Sequence, residues 1–255
     1  MVKVVKIGGN VIDNEAELNE FLKDFSKLEG KKVLVHGGGK IATRLAGELG
    51  VETCMIEGRR VTSKEMLDIA VMVYAGLINK RIVAKLQALG TNAIGVCGAD
   101  GSCITSRRRP AAPIDYGEVG DVTEVNTDTL TVLTDNGMTP VICAITADKS
   151  GNLLNTNADT VATETAKALS GVKPTELIYC FEKAGVLMNI DDDSSVIKSI
   201  TPDTVKNLID SGVINSGMLP KVNNALDAVS NSKIKRVVIK SSKRLNDDSG
   251  TNITV

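Results

Sequence analysis

Three consecutive glycines, Gly37 to Gly39, stand between a short apolar run, Val33 to Val35, and a stretch from Lys40 to Leu49 with helical spacing. The stretch reads as a short buried strand, a glycine loop and a helix. In α/β proteins the arrangement presents backbone N–H groups to a phosphate, because glycines let the backbone come close and the helix N-terminus adds partial positive charge. The same order also makes a tight strand-to-helix turn that binds nothing, so the stretch alone leaves both readings open.

A second glycine loop favours the first reading. Val2 to Ile7 is β-rich and ends in Gly8-Gly9-Asn10. From Asn14 to Leu28 apolar residues recur at Leu18, Phe21, Leu22, Phe25 and Leu28, the spacing of a helix with one buried face. Strand, helix and the Val33 strand then form a βαβ unit, which implies a parallel sheet. Both glycine loops follow strands running the same way and lie at the C-terminal edge, where open α/β folds bind ligands.

Further along, Thr62-x-x-Glu65 reads as a capping box for a long helix reaching Leu89. Arg59 and Arg60 precede it, either as solvated charge or as a bidentate grip for a carboxylate. Ala93 to Cys97 reads as a strand, Gly98 to Gly101 as a turn, and residues 104–125 as a β-hairpin excursion carrying Arg107-Arg108-Arg109. A helix from Thr127 to Asn136 and a strand from Thr139 to Ile145 close a first half near residue 150. The second half opens on Asn155-Thr-Asn-Ala-Asp159, which leads into a helix to Leu169 and contains residues suited to capping alone. Leu177 to Phe181 is a strand, Thr201-Pro202 starts a helix, and Arg236 to Lys240 is a last strand. Between them, Gly212 to Leu226 frames a helix start with Lys221 in its first turn, a poor place for a cation unless an anion is near.

Bulk properties exclude several functions. The formal net charge of the 255-residue chain is −1, aromatics make up 2% and Trp is absent, which speaks against nucleic acid as a partner. Three clustered arginines are too few to change that. No run of 18 apolar residues spans a membrane, and Met1 leads into a strand with no room for a signal peptide. The five cysteines show no C-x-x-C spacing and read as buried thiols of a reducing cytoplasm. His36 is the only histidine, so a His-based metal site and a Ser-His-Asp triad are nearly excluded. At the end of its strand it is read as a structural hydrogen-bonding residue rather than a catalyst.

Lys6-Ile-Gly-Gly-Asn10, His36 to Gly39, Gly58-Arg-Arg-Val-Thr62, Asn155 to Asp159 and Gly212 to Val222 occur in this order, followed by a closing Gly250-Thr251. Together they resemble the amino-acid kinase family, nearly end to end, and within it the branch acting on acylglutamates. The resemblance implies a three-layer αβα sandwich with an open, mostly parallel central sheet. Residues 1–150 would hold the phosphoryl acceptor and 151–255 the nucleotide. It implies transfer of a phosphoryl group from ATP to the γ-carboxylate of N-acetylglutamate or N-succinylglutamate, a step of arginine biosynthesis. Carried over by motif, Lys6 and Lys221 resemble the lysines that hold the moving phosphoryl group, and Asp159 the aspartate that orients them. Gly8, Gly9, Gly37 and Gly38 resemble the backbone donors around phosphates and acceptor, and Arg60 and Asn155 the residues that bind the acylated amino acid. Mg²⁺ would be held mainly through the phosphates, with no metal site of the protein's own.

The residues suit that chemistry. A side-chain carboxylate with a pKa near ~4.3 is already a nucleophile at neutral pH, so one histidine is no handicap. The reaction needs two anions brought together and charge stabilised on the phosphoryl group, by positioning and electrostatics. Three departures from the family stand out: Phe181-Glu182-Lys183 replaces Ser/Thr-Asp near the nucleotide, the Gly98 to Gly101 turn lacks a lysine, and Arg59 stands where relatives have an apolar residue. Arg59, with Arg107 to Arg109, is expected to favour an acyl group with an extra carboxylate. Relatives inhibited by arginine carry an added N-terminal helix that builds a hexamer. A chain beginning at its first strand is expected to be a homodimer insensitive to arginine.

Other readings remain. Gly37-Gly-Gly-Lys-Ile-Ala42 also satisfies G-x-G-x-x-A, with Glu57 near the ribose-binding offset of a nicotinamide-dependent oxidoreductase. That reading leaves Lys6, Asp159 and Lys221 unused. A non-catalytic sensor should have lost one of those three. An acylaminoadipate kinase differs by one methylene in its acceptor, worth only about 1–3 kcal/mol in a pocket.

Overall fold

The computed structural model describes residues 1–254 except Glu57, Gly58 and 215–217, and of Pro220 the backbone only. Gly58 of the arginine motif, Glu57 of the oxidoreductase reading and part of the Gly212 to Val222 stretch therefore lie outside the described residues.

In chain order the elements are β1 (Val2–Ile7), α1 (Gly9–Asp13), α2 (Glu15–Lys27), β2 (Lys31–His36), α3 (Gly39–Glu48), β3 (Cys54–Ile56), β4 (Arg59–Val61) and α4 (Lys64–Val71). Wide, π-type turns over Met72–Ile78 join α4 to α5 (Asn79–Ala88). There follow β5 (Ala93–Val96), β6 (Ile104–Arg108), β7 (Gly120–Val125), α6 (Thr127–Asp135), β8 (Thr139–Cys143), β9 (Ile145–Ala147), β10 (Leu153–Asn155) and α7 (Ala158–Ser170). The chain closes with β11 (Thr175–Phe181), β12 (Ser199–Ile200), α8 (Pro202–Asp210), α9 (Leu219–Ser230), β13 (Arg236–Ser241) and β14 (Thr251–Ile253). This is the expected α/β sandwich with a mostly parallel sheet.

The chain groups into two compact units, Met1–Lys32 with Ala162–Val255, and Val33–Val161. This differs from a single cut near residue 150. The cause lies in strand pairing: β1 runs parallel to β11, from Val2 opposite Thr175 to Ile7 opposite Cys180, so the first residues pack with the last hundred.

In the first unit β11 pairs in parallel with β13 on its other side, and β14 runs antiparallel to β13. Helix α2 forms because Asn14 Oδ1 accepts from the N–H groups of Ala16 and Glu17, with Glu15 and Glu17 in the first turn to match the helix dipole. It buries Leu18, Phe21, Leu22 and Phe25, each worth about 1.5–3 kcal/mol. Lys32 caps its other end. The Lys32 ammonium donates to the carbonyls of Phe25, Ser26 and Leu28 at 2.9, 2.8 and 2.9 Å, satisfying acceptors that a helix end leaves orphaned.

In the second unit β8 is flanked in parallel by β2 and β5. Ala144 interrupts the strand expected from Thr139 to Ile145. Beyond it β9 joins a smaller sheet with β10, antiparallel, and with β6, which hairpins with β7 as the alternating sequence implied. The arginine cluster serves this small sheet. Arg109 pairs with Asp121 and lies over the Tyr116 ring, and Arg108 donates to the Gly117 carbonyl at 2.9 Å.

The structure corrects the expected capping box. Thr62 does not cap the helix that follows it. Ser63 does, its hydroxyl accepting from Met66 N–H at 3.1 Å, while Thr62 is fully buried. The backbone of Thr62 is claimed from both sides, its N–H donating to Tyr116 O and its carbonyl accepting from Glu118 N–H. That pairing seats Thr62 one residue before the helix.

Among the cysteines, Cys103, Cys143 and Cys180 are buried free thiols that burial pushes up to about 12, Cys97 is half-buried and Cys54 is exposed.

Candidate active site

The first unit holds a cavity of about 630 Å³ lined by Lys6, Gly8, Gly9, Asn10 and Lys221 and by the apolar side chains Phe181, Val186, Leu187, Met188 and Val213. Lys6 reaches it as the penultimate residue of β1. Gly8 N–H donates to Cys180 O at 2.8 Å, and a Cβ there would crowd that carbonyl and the Phe181 side chain at 3.2 and 3.3 Å. Glycine is what lets the loop lie against the end of β11. Asn10 ties it further through a 2.7 Å hydrogen bond to Glu182. Lys183, one of the departures from the family, donates to Ile190 O at 3.0 Å and so braces the loop lining the apolar wall. Thr251 does the same from below, its hydroxyl accepting from Val186 N–H at 2.8 Å. The cavity thus has an apolar part fit for a flat ring and a part bearing two lysines and a glycine loop, fit for phosphates.

The second unit holds a smaller cavity, about 190 Å³, lined by Gly37, Gly38, Gly39, Arg59, Arg60, Tyr74 and Asn155, with the 156–158 segment. Arg60 Nη2 donates to Gly39 O at 3.0 Å and to the Thr43 hydroxyl at 2.6 Å. Its Nη1 is buried with no hydrogen-bond partner among the described residues. A buried charged donor left unmatched is costly, and a carboxylate entering this cavity would match it. Asn155, at the end of β10, donates from Nδ2 to the Thr62 hydroxyl at 3.0 Å. The wide turns over Met72–Ile78 bring Tyr74 and Ile78 against the glycine loop, so closely that a Cβ at Gly38 would overlap the Ile78 side chain. Burial pushes the Tyr74 phenol up, against the pull of the Arg60 guanidinium beside it.

Behind this loop stands His36, fully buried. Asn79 Nδ2 lies 3.0 Å from His36 Nε2 and donates to Val141 O at 2.9 Å. Nε2 therefore accepts, and Nδ1 carries the proton donated to Gly37 O at 2.9 Å. A second proton on Nε2 would face the Asn79 amide N–H. Burial pushes the imidazole down to about 4 from 6.5. Since only the unfolded chain takes up that proton between these values, stability rises with pH across the window, by about 3 kcal/mol in all, and levels off above it. Urea unfolding at a series of pH values from 4 to 7 should show this excess slope in the wild type and not in His36→Asn.

Asp159 lies in the first turn of α7, nearly buried, next in sequence to the wall of the smaller cavity. It does not cap the helix: Asn157 Oδ1 accepts from the N–H groups of Asp159 and Thr160. Lys6, Gly8, Gly9 and Lys221 are thus gathered on one cavity, and Gly37, Gly38, Arg60 and Asn155 on the other. Arg107 and Arg108 are exposed on the small sheet, outside both linings. Among the described residues no group of three or more His, Cys, Asp or Glu is arranged to hold a metal ion, and no helix is long and apolar enough to cross a membrane. Tyr74, Thr43 and the true role of Thr62 escaped the sequence reading. Tyr74 sits in the unbroken apolar run Val71 to Ile78, where only its hydroxyl hints at anything but core.

Two glycine loops at strand ends, one beside lysines and the other beside a half-buried arginine, define an α/β protein that handles small anionic molecules. The sequence pattern of the amino acid kinase family matches residues 1–241, and the chain belongs to that family. It is 50% identical over 248 residues to the acetylglutamate kinase of Phocaeicola vulgatus, covering 97% of this chain and 96% of that one. It is 51% identical over 237 residues to the acetylglutamate kinase of Cytophaga hutchinsonii, covering 92% and 89%. The crystal structure of smu.665 from Streptococcus mutans superposes with a TM-score of 0.81 at 30% identity, over 99% of this chain and 98% of that one.

Proposed function

We propose that the protein transfers the γ-phosphoryl group of ATP to the γ-carboxylate of an N-acylglutamate, N-acetylglutamate or N-succinylglutamate, as a step of arginine biosynthesis. The observation that carries the acceptor assignment is the unmatched Arg60 Nη1 in a cavity the size of an amino-acid derivative. Near-full-length similarity to acetylglutamate kinases supports the reaction.

ATP is assigned to the larger cavity, its base against the apolar wall and its phosphates toward Gly8, Gly9, Lys6 and Lys221. The nucleotide half of the molecule is then Met1–Lys32 with Ala162–Val255, and the acceptor half is Val33–Val161. A carboxylate oxygen forms a bond to the γ-phosphorus as the bond to the bridging oxygen breaks, and ADP leaves with that electron pair. No proton moves, so no base is needed. Lys6 and Lys221 offset the charge that the phosphoryl group carries, Asp159 is the third member of the catalytic set, and Mg²⁺ travels with ATP, held mainly by phosphate oxygens. Gly37 and Gly38 offer backbone N–H groups to the acceptor, and Arg60 and Asn155 bind its acylated amino-acid end. The partner is a small molecule, and a cytoplasmic homodimer is the assembly the resemblance implies.

ADP release with ATP and Mg²⁺ tests this, comparing N-acetylglutamate, N-succinylglutamate, N-acetylaminoadipate and free glutamate. Turnover is expected with an acylglutamate and not with free glutamate. Silence on every acceptor, with ATP still bound, would move the chain to the sensor reading. Because Arg59 lines the smaller cavity, Arg59→Leu is expected to lower the ratio of succinyl to acetyl turnover. An unchanged ratio would remove Arg59 as the reader of the acyl group.

A further inference from the structure

We infer that Thr62 is a positioning residue that fixes which way the Asn155 amide faces, and so makes the acceptor pocket select for an N–H group on its ligand. This rests on the acylglutamate reading above and goes beyond it.

One proton decides the arrangement. The Thr62 hydroxyl has a single hydrogen, and it is donated to Arg60 O at 3.1 Å. Toward Asn155 the same oxygen can only accept. Asn155 must therefore turn its NH₂ group to Thr62, as the 3.0 Å contact from Nδ2 has it. The atom then left for the cavity is Oδ1, an acceptor. Neither residue can shift to escape this. Thr62 is bonded through its backbone to Tyr116 and Glu118, and Asn155 N–H donates to Glu118 O at 2.9 Å, so the segment 116–118 holds both. Thr62 is fully buried and Asn155 nearly so, which denies them water as an alternative partner.

The pocket consequently offers one unmatched cationic donor, Arg60 Nη1, and one neutral acceptor, Asn155 Oδ1. An N-acylated α-amino acid supplies the complement: a carboxylate for the first and an amide N–H for the second. A ligand with an oxygen in place of that N–H would set lone pair against lone pair at Asn155, and a pocket built for a hydrogen bond rejects such an analogue strongly.

The test compares N-acetylglutamate with its ester isostere, 2-acetoxyglutarate, in the wild type, Thr62→Val and Thr62→Ser. Turnover and calorimetric binding of each ligand are measured, with the KM for ATP as a reference. The wild type is expected to favour the amide over the ester by about tenfold or more in acceptor KM. In Thr62→Val the Asn155 amide can rotate, and the preference should shrink to about twofold while the KM for ATP stays within about twofold of wild type. Thr62→Ser, which keeps the hydroxyl, should restore it. A purely structural role would weaken both ligands alike and leave the ratio unmoved, which would overturn the inference. A wild type indifferent to the exchange overturns it without any variant. If the wild type neither turns over nor binds N-acetylglutamate, the acylglutamate reading itself fails, and the inference falls with it.

Discussion

Lys221→Ala is expected to lower kcat by about 10²- to 10³-fold, the loss seen when one preorganised charge is removed from around a transition state. Lys221 stands in the first turn of α9, where the helix end already carries partial positive charge. A cation there is disfavoured by the helix dipole and is suited to an anion lying before the helix. The variant should therefore keep its unfolding free energy to within about 1 kcal/mol while losing activity. Steady-state ADP release, read beside a denaturation curve, checks both. A variant with nearly normal kcat would remove Lys221 from the chemistry, and one that merely unfolds would assign it to the fold.

Gly95→Ala is expected to destabilise the protein by about 3–5 kcal/mol, although it adds a single methyl group. A Cβ at Gly95, in β5, would overlap Asn79 Oδ1 and crowd Lys80 Nζ at 2.9 Å. Asn79 is buried, and its amide is shared between His36 Nε2 and Val141 O. Displacing it leaves two buried acceptors unsatisfied at once and frees the imidazole that holds Gly37 O. Loss of the urea midpoint should thus be accompanied by a raised KM for the acceptor, because the glycine loop loses its brace. A second change tests the route: Gly95→Ala combined with Asn79→Ala should be less damaging than the two losses summed. Additive losses would mean that the methyl group acts elsewhere.

How much of this was legible in the sequence depends on how far apart the deciding residues lie. The strands that precede the two glycine runs, the helix from Asn14 and the hairpin after Ile104 are written in local spacing, whereas the short helix over Gly9–Asp13 is not. Thr62 shows the limit. Thr62-x-x-Glu65 satisfies the capping pattern, but Ser63 is equally able to cap, and what chooses between them is pairing with residues 116–118, some fifty positions on. The grouping of the first 32 residues with the C-terminal part has the same origin, since β1 meets β11 across more than 170 positions. Arg109 read as one of three arginines that could face an extra carboxylate on the acyl group, but it is claimed by Asp121 across the hairpin. Gly38 looked like a phosphate glycine alone. Its lack of a side chain also admits Tyr74 and Ile78, which no local pattern announces.

The wide turns over Met72–Ile78 also set the rotational phase of everything C-terminal to them in that helix. A regular α-helix advances about 100° per residue, so turns that hold extra chain act as a built-in insertion and swing Asn79–Ala88 around the axis relative to Lys64–Val71. That one offset allows a single rod to turn Tyr74 toward the glycine loop and Asn79 toward the end of β2. Shortening the stretch by one residue would restore ordinary pitch and leave the hydrogen-bond ladder whole, while pointing Asn79 away from His36. For this segment, chain length rather than side-chain identity carries the information that the smaller cavity needs.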